Sequence, residues 1–168
     1  KTGEMIMNQL IKATYRKDLS QMQKILDKGY DINTTDSDGR TALIHAVLDS
    51  DPDIEVIKFL IQNGSHINTQ DPIQKWSALH FAARDNKKDI VSTLLNYNPD
   101  VDIVDIFGNT PLWRAVMSFK DDPTIISELL QSGADPSKVN TSGVSPWTLA
   151  ETIGNPQLLS LLNDKQLK

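Results

Sequence analysis

Cysteine is absent from the 168-residue chain, so disulfides and Cys-ligated zinc or iron–sulfur centres are ruled out. No stretch approaches the roughly 20 consecutive apolar residues of a membrane span, and no membrane partner is expected. Aromatic residues make up only 6%, and positive charge is in the minority: 17 Lys and Arg stand against 22 Asp and Glu, a net charge of −5. Phosphate contacts need clustered Lys and Arg, so this balance argues against a nucleic-acid binder; it suits a basic protein partner. What is present is apolar material at 39%, too much for a disordered chain. The length suits a single domain over 1–168. The first residue is Lys rather than Met, so the chain reads as a trimmed product. A cytoplasmic location is the expectation, although the lack of a leader carries little weight.

Comparing the chain with itself is more informative. Four segments match: Thr41-Ala42-Leu43, Ser77-Ala78-Leu79, Thr110-Pro111-Leu112 and Ser145-Pro146-Trp147. The successive spacings, Leu43 to Leu79, Leu79 to Leu112 and Leu112 to Trp147, are 36, 33 and 35 residues. A second landmark recurs ahead of each: Gly29-Tyr30-Asp31-Ile32-Asn33, Gly64-Ser65-His66-Ile67-Asn68, Asn98-Pro99-Asp100-Val101-Asp102 and Gly133-Ala134-Asp135-Pro136. Two landmarks in fixed phase at such a period define a repeat array.

Each landmark has a physical role in a helix pair followed by a turn. A Thr or Ser hydroxyl ahead of the first apolar residue can accept a free backbone N–H at a helix start. Pro111 and Pro146 then fall at the first helical position, where a missing N–H does no harm. Alanines in the first helix of each unit, such as Ala46, Ala82 and Ala115, permit close helix approach. A second apolar run follows in each unit and ends just before Gly or Asn, which tolerates the left-handed conformation. Asp36–Gly39 and Asp105–Gly108 supply turn residues between units.

These motifs resemble the ankyrin-repeat family, whose pattern is Asp-x-x-Gly-x-Thr-Pro-Leu-His at a unit's start and Gly-Ala-Asp-x-Asn at its end. Thr110-Pro111-Leu112, Gly133-Ala134-Asp135 and Ser77-Ala78-Leu79-His80 are the nearest matches. The resemblance implies an all-α solenoid of stacked helix–turn–helix units joined by short hairpin loops. The expected units are 3–35 as N-terminal cap, 36–71, 72–104, 105–139, and 140–166 as C-terminal cap. Departures are visible too. Units two and four hold two extra residues between their helices, at Asp49–Asp53 and Ser118–Pro123. The turn before Trp76 has one extra residue, with Lys75 where the family has glycine. Trp113 replaces the family's usual His and is expected to pack in the core.

No catalytic constellation emerges. Gly-x-Gly-x-x-Gly, Walker, His-Glu-x-x-His and Gly-x-Ser-x-Gly patterns are all missing. Asp36 and Asp38 fall in calcium-loop phase, but Thr34 and His45 would occupy its first and last ligand positions, so the charge count fails. His45, His66 and His80 sit at different phases of their units, so no metal site or cofactor is expected.

What remains is surface. A stacked array presents an extended concave face from its hairpin tips and first helices. The residues expected there include Asp38, Arg40, Asp49, Gln74, Trp76, Arg84, Asp85, Phe107, Asn109, Met117 and Phe119. Trp76, flanked by Asp38 and Asp85, is expected to project as an interface anchor. The resemblance implies a non-catalytic protein-binding module, monomeric when free. Its stretches Leu112-Trp113-Arg114-Ala115-Val116 and Gly143-Val144-Ser145-Pro146 look like those of small stand-alone bacterial ankyrin proteins. Some of those resemble immunity proteins that neutralise a toxin, and an acidic charge would suit a basic one. The alternative is a small-ligand binder or enzyme accessory on the same scaffold, which would need convergent polar residues in a pocket.

Overall fold

The computed structural model describes the backbone over residues 2–163 and side chains from Gln9 onward. The expected end of the last unit at residue 166 lies outside the described residues. Among the described residues ten helices follow one another: α1 (Thr2–Tyr15), α2 (Leu19–Leu26), α3 (Ala42–Leu48), α4 (Ile54–Gln62), α5 (Ala78–Arg84), α6 (Lys88–Leu95), α7 (Pro111–Met117), α8 (Thr124–Gln131), α9 (Pro146–Ile153) and α10 (Pro156–Asn163). Each odd helix packs on the even helix after it. Odd helices also stack on one another from α1 to α9, and the even row runs from α4 to α10. The fold is therefore a two-layer, all-α solenoid. Among the described residues the only extended pairing is an isolated bridge between Gln70 and Ser77.

The repeated hydroxyl residues start the odd helices as the sequence predicts. Thr41, Ser77, Thr110 and Ser145 each sit in extended backbone, with the side-chain oxygen accepting the N–H of Ile44, His80, Trp113 and Thr148 respectively. Such a cap typically contributes about 1 kcal/mol. At the other end, the chain turns left-handed two or three residues beyond the last residue of α2, α4, α6 and α8. In the third unit that residue is Asn98 at φ +50°, which stands in for glycine.

Small residues on α5 and α7 (Ala82 and Ala115, both buried) let the odd row approach closely, while Ile57, Leu60, Leu94 and Leu129 fill the space between layers. Fully burying one such aliphatic side chain contributes about 1.5–3 kcal/mol. A polar ladder runs along the outer edge. The side chains of Asn33, Asn68 and Asp102 accept the backbone N–H of His66, Asp100 and Asp135, one unit on, at 2.7, 2.9 and 3.1 Å. Asn33 also donates its amide to the Gly64 carbonyl at 3.0 Å, a bond that a carboxylate at the same register cannot make.

The loop lengths between paired helices alternate. The α3–α4 and α7–α8 connections carry the two extra residues, and the α5–α6 connection between them is short. Lys87 at its end and Lys88 at the start of α6 reach in opposite directions. Lys87 Nζ donates to the carbonyls of Val47 and Asp49 at 2.6 and 2.8 Å, at the end of α3, and Lys88 pairs with Asp122 in the α7–α8 loop.

Candidate functional site

Four hairpins, at 35–41, 70–77, 104–110 and 139–145, line one edge of the stack. Each begins with an Asp or Asn whose side chain holds its own turn. Asp36 accepts the N–H of Asp38 and Arg40, both at 2.9 Å; Asp105 accepts those of Phe107 and Asn109 at 2.8 and 2.9 Å. Asp71 does the same for Ile73 and Gln74, and Asn140 for Ser142 and Val144. Three of these turns close with glycine at positive φ. In the 70–77 hairpin Lys75 takes that role at φ +54°, one residue later, and its N–H reaches the Asp71 carbonyl at 3.0 Å.

The expected surface residues divide by burial. Asp38, Gln74, Arg84, Asp85, Phe107 and Met117 are exposed; Arg40, Asp49 and Phe119 are half-buried. Trp76 and Asn109 are buried at 4% exposure each, which corrects the expectation that both belong to an open face. Trp76 does not project. Two guanidinium groups lie over its ring, Arg84 at 4.7 Å and Arg114 at 4.5 Å from the centroid, and it packs on His80 and Phe81. The cations are attracted to the ring's electron-rich π face. Arg84 is held in place by a two-point pair with Asp85 at 2.6 and 2.9 Å. Asn109 is drawn inward because its carbonyl accepts His80 Nε2 at 3.0 Å and its amide lies against the Asp105 carboxylate. Trp113, expected in the core, is only half-buried beside Arg114.

Arg114 also pairs with Asp105, whose side chain is fully buried. Burial alone would push the Asp105 carboxyl up. The Arg114 guanidinium and the N–H groups of Asn109 and Phe107 outweigh it and hold the group below the usual carboxylate value. His80 is pushed down from its ordinary value by burial, so its ring is neutral. The ring accepts the Ser77 N–H on Nδ1 and donates from Nε2, linking one unit to the next.

The counterpart of Asp105–Arg114 two hairpins earlier is Asp36–His45, at 2.7 Å, and His45 Nδ1 meets the Tyr15 hydroxyl at 2.9 Å. This chain of hydrogen bonds is not an activated nucleophile. Burial, with the charges of Asp49 and Asp36, raises the Tyr15 phenol above its ordinary value against the opposing Arg40. The relay ties α1 to the 35–41 hairpin. Among the described residues no group of three or more His, Asp or Glu converges as a metal site, and no helix is long and apolar enough to cross a membrane.

Sequence reasoning missed three exposed apolar residues of the hairpin edge: Ile73 at 63%, Val139 at 58% and Ile106 at 44% exposure. The available signal was their place in turns that need no apolar side chain. It also missed a cleft of about 530 Å³ between the short α5–α6 loop and the long α7–α8 loop. Ala83, Ala115 and Ile126 form its floor, with Phe119, Lys120 and Asp121 at its mouth.

Residues 50–140 match the family model for ankyrin repeats in three copies, and residues 10–54 match a second model for ankyrin repeats in many copies. The chain belongs to the ankyrin-repeat family. Ankyrin repeats are a non-enzymatic fold used for protein–protein interaction. Similar proteins come from mixed sources. A putative ankyrin repeat protein of Rickettsia bellii (strain RML369-C) is 35% identical over 67% of this chain and 62% of its own length. The E3 ubiquitin-protein ligase Ufd4 of Drosophila melanogaster is 30% identical over 89% of this chain but only 6% of its own. A putative ankyrin repeat protein of fowlpox virus (strain NVSL) is 34% identical over 60% of this chain and 17% of its own. The chain thus spans from 6% to 62% of the length of these relatives.

Proposed function

We propose that the five helix pairs act as one non-catalytic module that binds a protein partner across the hairpin tips and the exposed ends of α3, α5 and α7, the concave side of the stack. The observation that carries this reading is the run of exposed apolar side chains on neighbouring hairpins, Ile73, Ile106 and Phe107, with Met117 exposed at the end of α7. The fold requires none of them to be apolar, and contiguous exposed apolar surface marks contact sites. Exposed Asp38 and half-buried Asp49 lie at the N-terminal side of the run and suit a partner with basic groups next to its apolar contact. The narrowest form of this reading is an immunity-type inhibitor, monomeric when free, that covers a basic toxin; its support is the net charge of −5. Co-expression with the product of the adjacent gene, scored for protection of the host, tests that form separately.

The general reading is tested by capturing partners from the native host with the wild-type chain and with Phe107→Ser and Met117→Ser. Loss of the captured protein with an unchanged thermal midpoint is the expected result. Capture that survives both substitutions but fails on Phe119→Ala or Asp121→Lys would move the site to the cleft between the α5–α6 and α7–α8 loops. That outcome would favour the enzyme-accessory form of the alternative reading.

A further inference from the structure

The hairpins are joined to one another by hydrogen bonds, but not at every junction. Between the 104–110 and 139–145 hairpins, the Thr141 N–H donates to the Phe107 carbonyl at 2.9 Å, the Thr141 hydroxyl donates to the same oxygen, and the Asn140 amide donates to Asn109 Oδ1. Between the 70–77 and 104–110 hairpins, the Ile106 N–H donates to the Gln74 carbonyl at 3.0 Å, Gln70 Nε2 donates to the Val104 carbonyl at 2.8 Å, and His80 reaches the Asn109 carbonyl from α5. Among the described residues no hydrogen bond or ion pair joins the 35–41 hairpin to the 70–77 hairpin.

Two residue identities account for the gap. The donor at each ladder step is the residue directly after the turn-holding Asp or Asn: Ile106 after Asp105, Thr141 after Asn140. After Asp71 that residue is Pro72, which has no N–H to give. The inter-unit bond made by His80 has no counterpart either, because Ile44 holds the equivalent place in α3. Contact here is apolar. The Pro72 ring sits so close over Gly39 that a Cβ on the glycine would meet Pro72 Cγ at 2.4 Å. The same junction is strapped at the far end of α3, by Lys87 on the carbonyls of Val47 and Asp49, and in the outer layer, by Gln62 of α4 on the Tyr97 hydroxyl just after α6.

We propose that the junction between the 35–41 and 70–77 hairpins is a hinge built into the solenoid. It opens along the hairpin edge while Lys87 and the outer helices keep the far edge closed. Opening there breaks no hydrogen bond between hairpins, whereas opening either later junction breaks two or more. The hinge divides the stack into α1–α4 and α5–α10, and with it the edge that carries Tyr15, Arg40 and Asp49 from the edge that carries Ile73, Phe107 and Met117.

Native-state hydrogen exchange on the full chain, read helix by helix, tests the hinge without any partner. In the wild type the amides of the 35–41 hairpin and of α3 should exchange through a shared opening, with a step in protection between α3 and α5. Pro72→Ala restores the missing donor and should slow that shared opening about two- to tenfold, the span expected of one added hydrogen bond. Thr141→Pro removes the donor at the last junction, at a turn position where proline is well tolerated. It should create a second step between α7 and α9. A smooth gradient of protection from the N-terminal helix inward, with no step at α3, would identify simple end fraying and overturn the proposal. So would a step that Pro72→Ala leaves unchanged while Thr141→Pro creates none.

Discussion

The two junctions flanking the third helix pair present the same helices and the same hairpin architecture, yet they are held together by different chemistry. On the C-terminal side, the guanidinium groups of Arg84 and Arg114 both lie over Trp76, Arg114 pairs with buried Asp105, and His80 spans to the Asn109 carbonyl. On the N-terminal side, Pro72 packs on Gly39 and Ile44 replaces the bridging His, so the hairpin edge is joined by contact alone. One unit thus belongs firmly to its successor and loosely to its predecessor. In a linear array each unit touches only its neighbours, so a difference at one junction is not averaged away by the rest of the fold.

The largest test removes the centre of the tight junction. Trp76→Ala should destabilise the protein by about 3–5 kcal/mol, the usual range for a buried Trp or Phe truncated to Ala. Urea unfolding gives the value directly; a midpoint equal to wild type would return Trp76 to the surface. Next in size is Asp105→Asn, which keeps the turn-holding oxygen, as Asn140 does one unit later, but loses the charge facing Arg114. A loss of about 1.5–3 kcal/mol is expected at neutral pH, as for a hydrogen bond to a charged group. Because the folded Asp105 carboxyl is held below its ordinary 3.8, its stabilisation is complete above that value and is lost as the pH falls through the folded one. The Asn variant should therefore lose less stability on acidification below about pH 4 than the wild type does.

Gly39→Ala and Gly143→Ala isolate the Pro72 contact at the loose junction. Both glycines have φ +74°, so both variants carry the strain of a left-handed alanine, about 1–2 kcal/mol. Only at Gly39 would the added Cβ also strike a neighbour, whereas nothing lies within 4 Å at Gly143. The Gly39 variant should be the less stable of the two by thermal melting, and adding Pro72→Ala should remove most of the difference. The smallest effect is a gain. Asp102 is pushed above its ordinary 3.8 by burial, with the nearby charges of Asp135 and Asp100 adding to the rise. A raised folded value favours the protonated acid, so this group's contribution is present below 3.8 and lost as the pH climbs through the folded value. Asp102→Asn should thus raise stability at neutral pH by about 0.5 kcal/mol, with an amide able to donate as Asn33 does.

Much of the fold was legible before any coordinates. Phased Thr and Ser residues mark helix starts because a capping hydroxyl acts within three residues of itself. Asn98 and Lys75 were legible as glycine substitutes because positive φ is a demand of one residue's own backbone. The surface was less legible. Phe107 and Met117 were read correctly as exposed, but Trp76 was not. Its environment depends on Arg84, eight residues on, and Arg114, a whole unit away, and no local pattern reports that their side chains converge on one ring.

Repeat period, capping, turn type and the apolar faces of the helices were therefore determined by the sequence alone, since each follows from interactions within one helix pair and its turn. The stack decided which aromatic is buried and which carboxylate is neutralised. It also decided which hairpin has a donor for its neighbour. Pro72 reads as an ordinary turn proline until its missing N–H is set opposite the preceding hairpin. That hydrogen bond belongs to neither unit separately, and it exists only where two hairpins are brought side by side.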